Sequence, residues 1–245
     1  MIVLNNVSKQ YRLKGKKNIS RFFIVRMLRD ALKGNKNDKT QEWFWALKDI
    51  TLTINKGEQV GLVGKNKAGK TTLLQLISGV TTPTEGSLSV DGNLIPVFAQ
   101  GTVLTPDQTG REYIYLHAAA LGYNKKQVDA IADKIIAFSE IDNIDGLVKF
   151  YSTGTRTRLS LSITLHLPGD IYIFDEVFYG SDIFFKEKVI AHFKEMLNHP
   201  DKTMVLVSHN EDIIRTFCKR LILLENGRVV ADGNTDEILA HYKLK

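Results

Sequence analysis

An α/β fold built on a mostly parallel sheet is what this 245-residue sequence predicts. Three observations predict it. Short apolar runs of strand type alternate with segments of helical periodicity, which calls for parallel strands joined by crossover helices. One run, Gln59 to Val63, leads directly into Gly64-Lys65-Asn66-Lys67-Ala68-Gly69-Lys70-Thr71, a complete G-x-x-x-x-G-K-[ST] pattern. Another, Asp170 to Phe174, ends in Asp175-Glu176, placing two carboxylates at the carboxyl edge of the sheet.

The elements follow in order. Ile2 to Leu4 and then Val7 to Tyr11 read as strand, after which a basic insertion runs to about Gln41. Glu42-Trp43-Phe44-Trp45-Ala46-Leu47 reopens apolar sequence, and Ile50 to Ile54 alternates as a half-buried strand should. Thr71 to Ser78 carries Leu73, Leu74, Leu76 and Ile77, a helix packed on a sheet. Ser87 to Val90 with Asp91-Gly92-Asn93 is a strand and tight turn. From about Thr105 to His166 the texture becomes helical, an inserted lobe. Thr109 caps its first helix with Glu112 reaching back. Lys125 to Ser139 reads as one amphipathic helix, with Val128, Ile131, Ile135 and Phe138 on one face. The α/β body resumes at Asp170. Asp182 to Asn198 is helical, Thr203 to Ser208 is a buried strand, and Leu221 to Val230 is a hairpin turning at Asn226-Gly227. Thr235 starts a final helix. Antiparallel strands are expected at one side of the sheet.

Composition narrows the class. With 43% hydrophobic and 24% charged residues the chain is an ordinary globular protein, sized for one domain over 1–245. No run approaches the roughly 20 apolar residues of a membrane-spanning helix, and the first residues lack the form of a signal peptide. The single cysteine, Cys218, suits a reducing compartment and reads as filler rather than nucleophile. The expectation is a cytosolic protein. The net charge of +6 is concentrated: Arg12 to Lys39 holds ten Lys and Arg against Asp30 and Asp38, a local +8 that leaves the remainder at −2. Within it, Phe22 to Arg29 mixes apolar residues with arginines. That mixture suits a helix lying against a membrane surface or partner groove, or else a solvated insertion with one packed face. No nucleic-acid-binding signature accompanies the charge.

The chemistry follows from the loop. Its glycines let successive N–H groups point inward, and the following helix start adds partial positive charge where phosphate oxygens sit. Lys70 reaches the β- and γ-phosphates and the Thr71 hydroxyl helps hold Mg²⁺. Asp175 supports the metal through its water shell, Glu176 polarises the attacking water, and His209, after the Thr203 strand, lies at the same edge.

Taken in sequence order, these motifs resemble those of ATP-binding subunits of ABC transporters, over nearly the whole chain. Tyr151-Ser152-Thr153-Gly154-Thr155 stands where that family has its signature segment, Asp182 matches the aspartate of the interface-crossing loop, His209 the switch histidine and Tyr11 the adenine-stacking aromatic. The resemblance implies ATP and Mg²⁺ as ligands. It implies a nucleotide set of Tyr11, Gly64, Asn66, Ala68, Gly69, Lys70, Thr71, Thr72, Gln100, Ser152, Gly154, Asp175 and Asp182. Thr71, Gln100 and Asp175 would serve the metal, and Glu176, His209 and Lys70 catalysis. It further implies two copies facing head to tail, with Ser152 and Gly154 of one gripping the γ-phosphate held by the other.

The long insertion after Tyr11, the Trp45-Ala46-Leu47 re-entry and Thr109-Gly110-Arg111-Glu112 are similar to the polysaccharide-export branch, serving O-antigen, capsule or teichoic acid. There the membrane-spanning permease is a separate chain, and the ATPase sits peripherally on the cytoplasmic face of the bacterial inner membrane. A C-terminal carbohydrate-binding domain, carried by some members, is not expected here. Departures exist: Lys67 stands where Gly is usual, Gln100 competes with Ala99 for the glutamine-loop register, and Tyr179-Gly180-Ser181 precedes Asp182 unusually. They keep open a slow, nucleotide-gated regulatory module, or an ABC ATPase for another substrate.

Overall fold

The computed structural model describes residues 1–12, 43–98, 107–176 and 183–242. Nearly all of the basic insertion, Gln100 and Asp182 with its preceding Tyr179-Gly180-Ser181 lie outside the described residues.

Two sheets form the body. Strands β1 (Ile2–Arg12), β2 (Trp43–Ile54) and β4 (Glu85–Val90) make an antiparallel sheet of order β2-β1-β4. The larger sheet has order β5-β6-β7-β3-β8-β9. It comprises β3 (Gln59–Val63), β5 (Leu94–Phe98), β6 (Ile171–Asp175), β7 (Thr203–Val207), β8 (Arg220–Glu225) and β9 (Arg228–Asn234). All its pairings are parallel except β8 with β9.

The central strands are apolar throughout because both their faces are covered. Alternate residues enter two different cores. Val60, Leu62, Ile173, Val205 and Val207 join Ile2, Leu4, Leu47, Ile50 and Leu52 of the small sheet. In that core they meet Leu73, Leu74, Leu76 and Ile77 of helix α1 (Lys70–Ile77), so the helix after the loop is fixed by buried leucines. Removing one of them, as in Leu74→Ala, costs about 2–5 kcal/mol. Val63, Tyr172, Phe174, Met204 and Leu206 face the second core, shared with the remaining helices.

Between β5 and β6 lies a helical block of α2 (Gly110–Ala120), α3 (Lys125–Asp129), α4 (Ala132–Ser139), a 3₁₀ turn (Val148–Phe150) and α5 (Thr153–His166). After β6 come α6 (Ile183–Leu197), α7 (Glu211–Phe217) and α8 (Thr235–His241). Among the described residues no helix is long and apolar enough to cross a membrane.

One expectation needs correction. The amphipathic run from Lys125 to Ser139 is two helices broken at Ala130-Ile131, although Val128 and Ile135 are buried as expected. The expected antiparallel strands are present: three form a small sheet of their own, and β9 pairs antiparallel with β8 at one edge of the larger sheet. The turn at Asp91-Gly92-Asn93 connects the two sheets, delivering the chain from β4 into β5. Asn93 is pinned there by the Asp170 carboxylate, which accepts from its N–H at 2.8 Å. The Asn226-Gly227 turn is as expected: φ is 49° and 77°, the doubly left-handed geometry of a type I′ hairpin.

Candidate functional site

Strands β6, β7 and β3 lie side by side and parallel, so the segments that follow them emerge at one edge. Those segments are Glu176, Ser208-His209 and the loop Gly64–Gly69, and they surround a cavity of about 620 Å³. Its wall includes Asn66 through Thr72 of the loop and helix start, Asp175, Glu176, Val207 and His209, with Phe44 and Ala46 from β2.

The loop leaves β3 at Gly64 (φ 154°), where a Cβ would strike the Leu224 carbonyl of β8. It turns with Ala68 N–H donating to the Lys65 carbonyl at 3.1 Å, and Gly227 N–H donates to the Ala68 carbonyl at 3.0 Å. Gly69 enters α1 at φ 110°; a Cβ there would lie 2.7 Å from Leu47 Cδ2 and 2.8 Å from the Ala46 carbonyl. No side chain caps this helix, so the N–H groups of its first turn face the cavity without the usual partner. An uncapped helix start on a cavity wall is an anion site.

Lys70 Nζ donates to the Gly64 and Lys65 carbonyls at 2.6 and 3.1 Å. Burial pulls its pKa down, while the carboxylates of Glu176 and Asp175 push it back up. Burial raises the pKa of Asp175, opposed by Lys70 and His209. Glu176 has left-handed backbone (φ 56°) and its N–H donates to the Val207 carbonyl at 3.1 Å, tying it to the end of β7. Its Oε1 accepts from His209 Nε2 at 2.8 Å. His209 is held in turn by the next helix start: Asn210 caps α7 through Ile213 N–H, and its own N–H donates to Ser208 Oγ. The arrangement puts a lysine, two carboxylates and an imidazole around one anion-ready loop. That is the equipment to hold a polyphosphate and activate water beside it. Thr71 and Asp175 are hard oxygen donors on the same wall, a set that fits Mg²⁺.

The structure does not bring every expected residue here. Ser152 and Gly154 start α5 in the helical block and take no part in the cavity wall. Ser152 Oγ accepts from Thr155 N–H at 3.0 Å. A Cβ on Gly154 would meet only Ser152 Oγ, at 3.7 Å, so the protomer's own fold does not require glycine there. Tyr11 also stays off the wall. Its cross-strand partner Phe44 lines it instead, 48% exposed, while Lys9 Nζ sits 5.2 Å from the Tyr11 ring centre. Sequence reasoning missed Phe44; the only signal was its place in the aromatic run after the insertion. Lys67 takes φ 68°, the left-handed backbone its replacement of glycine demands. That conformation costs about 1–3 kcal/mol for a side-chain-bearing residue. Cys218 is buried and its thiol is pushed up to about 12, which removes it as a nucleophile.

Comparison with known proteins adds a family. The profile described as "ABC transporter" matches residues 47–179. The O-antigen export system ATP-binding protein RfbB of Klebsiella pneumoniae is 36% identical over 249 residues, covering 99% of this chain and 97% of that protein. RfbB of Myxococcus xanthus is 35% identical; the chain spans only about half of its length (55%). The teichoic acids export ATP-binding protein TagH of Enterococcus faecalis is 38% identical over 204 residues, 82% of this chain and 44% of that protein. Among solved structures, a dimeric ATP-binding cassette in a post-hydrolysis state with ADP and Pi superposes with TM-score 0.74 at 22% identity. It covers 96% of this chain and 99% of that one, a likeness of fold.

Proposed function

This chain belongs to the ABC transporter family, and from that premise we propose that it is the ATP-hydrolysing subunit of an exporter of lipid-linked polysaccharide, of O-antigen or teichoic acid type. The observation that carries the reading is the meeting of Lys70, Asp175, Glu176 and His209 around the uncapped start of α1. The names of the relatives point the substrate class toward cell-surface polysaccharide.

The triphosphate would thread over the loop N–H groups, with Lys70 swinging from the Gly64 carbonyl onto the β- and γ-oxygens. Mg²⁺, held by Thr71 and Asp175, would neutralise charge on those oxygens. Glu176 would orient the attacking water and accept its proton, and His209 would fix the Glu176 carboxylate through their 2.8 Å contact. Phe44, with Tyr11 beside it, offers the base an aromatic wall.

The second half of the pocket would come from another copy. Ser152 and Gly154 lie off the cavity and at a helix start, where they would meet the γ-phosphate held by a partner once the Ser152 hydroxyl gives up its bond to Thr155. Asp182 of the crossing loop and Gln100 would complete that junction. Closure of the dimer on ATP, and opening after hydrolysis, would drive separate permease chains. The basic segment 12–39 would lie against that permease or the membrane, with the ATPase peripheral on the cytoplasmic face.

The test uses purified protein. Glu176→Gln should still bind ATP and form a stable dimer by light scattering, while steady-state hydrolysis falls about 10²- to 10³-fold. Hydrolysis at the unmodified rate would remove Glu176 from the chemistry. Co-purification of a membrane-spanning permease from the host would test the export reading.

A further inference from the structure

Six non-glycine residues have left-handed backbone among the described residues. Asn6, Asp49 and Asn226 are of the type that tolerates it, and Glu140 ends a helix. The other two, Lys67 and Glu176, both stand on the wall of the cavity. Strain that persists in a site calls for a use there. Glu176 has one in the mechanism above; Lys67 does not.

Glycine at 67 would adopt φ 68° freely, and the loop's close approaches to its surroundings are already met by Gly64 and Gly69. A long cationic side chain at this position is therefore not a demand of the fold. Lys67 is exposed, and among the described residues no carboxylate pairs with it. The wall's acids are engaged elsewhere: Glu176 with His209, and both Asp175 and Glu176 with the field of Lys70. Counting lysines against carboxylates, Lys70 alone leaves the wall at net −1 with Asp175 and Glu176, a poor start for an anion. Lys67 brings it to zero.

We propose that Lys67 is a second phosphate-gripping lysine, whose ammonium pairs with the phosphate chain of the nucleotide from the turn of the loop. The inference rests on the ATP reading and deepens it: this loop holds nucleotide with two cations where its pattern requires one. The contact is a partly solvated ion pair, so its share of affinity is modest and depends on ionic strength.

The test is ATP binding by titration calorimetry, at low salt and near 1 M salt. Lys67→Gln, which keeps a polar side chain one atom shorter and loses the charge, should bind about threefold to tenfold more weakly at low salt. The gap should close as salt rises. Lys67→Arg should hold its affinity. Lys67→Gly should weaken like the glutamine variant even though its backbone is relieved. Unchanged affinity in the Gln and Gly variants, tighter binding by Gly, or a deficit that salt does not narrow would each overturn the proposal. Lys70→Ala separates the two readings. If it too binds ATP normally, the cavity is not the phosphate site; if it alone loses binding, only the role of Lys67 falls.

Discussion

Two helices of this protein begin in opposite ways. Helix α1 starts at Gly69 with no side chain over its first turn, and its open N–H groups look into the cavity. Helix α5 starts at Ser152, whose hydroxyl accepts from Thr155 N–H and bonds Thr155 Oγ1 at 2.8 Å. Two other starts in the helical block are closed still more fully, Thr109 with Glu112 and Asn124 with Gln127 forming complete capping boxes, while α4 starts at Ile131 without a side-chain cap and away from the cavity wall. A capped start stabilises its own helix, while an uncapped one leaves its dipole and donors to a ligand. The contrast teaches where the single protomer is ready for an anion. It is ready at the loop, whereas at Ser152 a hydroxyl must exchange its bond to Thr155 for one to phosphate.

The largest effect comes from breaking the open side. Lys70→Ala removes a half-buried cation whose pKa the cavity carboxylates of Glu176 and Asp175 raise. ATP affinity should drop roughly a hundredfold or more, read by titration calorimetry. The thermal midpoint should hardly fall, because the lysine's pKa is already lowered by burial and its loss relieves that cost. A variant that bound ATP normally would leave α1 no more anion-ready than α5.

A second effect belongs to the helical block alone. His117 in α2 is depressed to about 4 by burial, its Nδ1 3.3 Å from the Tyr113 hydroxyl. The unfolded chain, with an ordinary histidine near 6.5, therefore takes up a proton that the folded one refuses between these values. Stability is complete above pH 6.5 and is lost as pH falls toward 4, by at most about 3 kcal/mol. The ion pairs of Asp129 and Asp145, whose pKa values are lowered by Lys125 and Arg111, fail in a more acidic window. Denaturant midpoints measured from pH 7 to 4 should show the slope, and His117→Phe should flatten it. An unchanged slope in that variant would mean another group titrates.

Much of this contrast was legible beforehand, for physical reasons. The loop, the Asp175-Glu176 strand end, His209 and the Thr109–Glu112 box are contiguous patterns, each fixed by neighbours a few residues away. What escaped reading depends on distant partners. Strand β5 contains Pro96, which argues against a central strand; it survives because β5 is the edge of the sheet, where a missing N–H is tolerated. The break at Ala130-Ile131 leaves the apolar stripe continuous, so periodicity cannot see it. Phe44 reaches the cavity through the pairing of β2 with β1 across the insertion. The left-handed Glu176 has no sequence signal at all; its geometry comes from the bond to Val207 on a strand that follows later in the chain.

The smallest effect is the sharpest test of the comparison. Ser152→Ala removes the cap from α5 and should lower stability by about 1 kcal/mol, a shift of a few degrees in thermal midpoint. That loss alone shows only that Ser152 is a cap. Ser152→Asp separates the cap from the proposed grip, because aspartate caps as well as serine but sets a negative charge where a partner's phosphate would arrive. Its thermal midpoint should match the parent protein. Placed in the Glu176→Gln background, it should abolish the ATP-dependent dimer seen by light scattering, with ATP binding to the separate protomer intact. If the aspartate variant dimerised on ATP as readily as its parent, the start of α5 would be only a capped helix. The second half of the pocket would then have to be sought elsewhere.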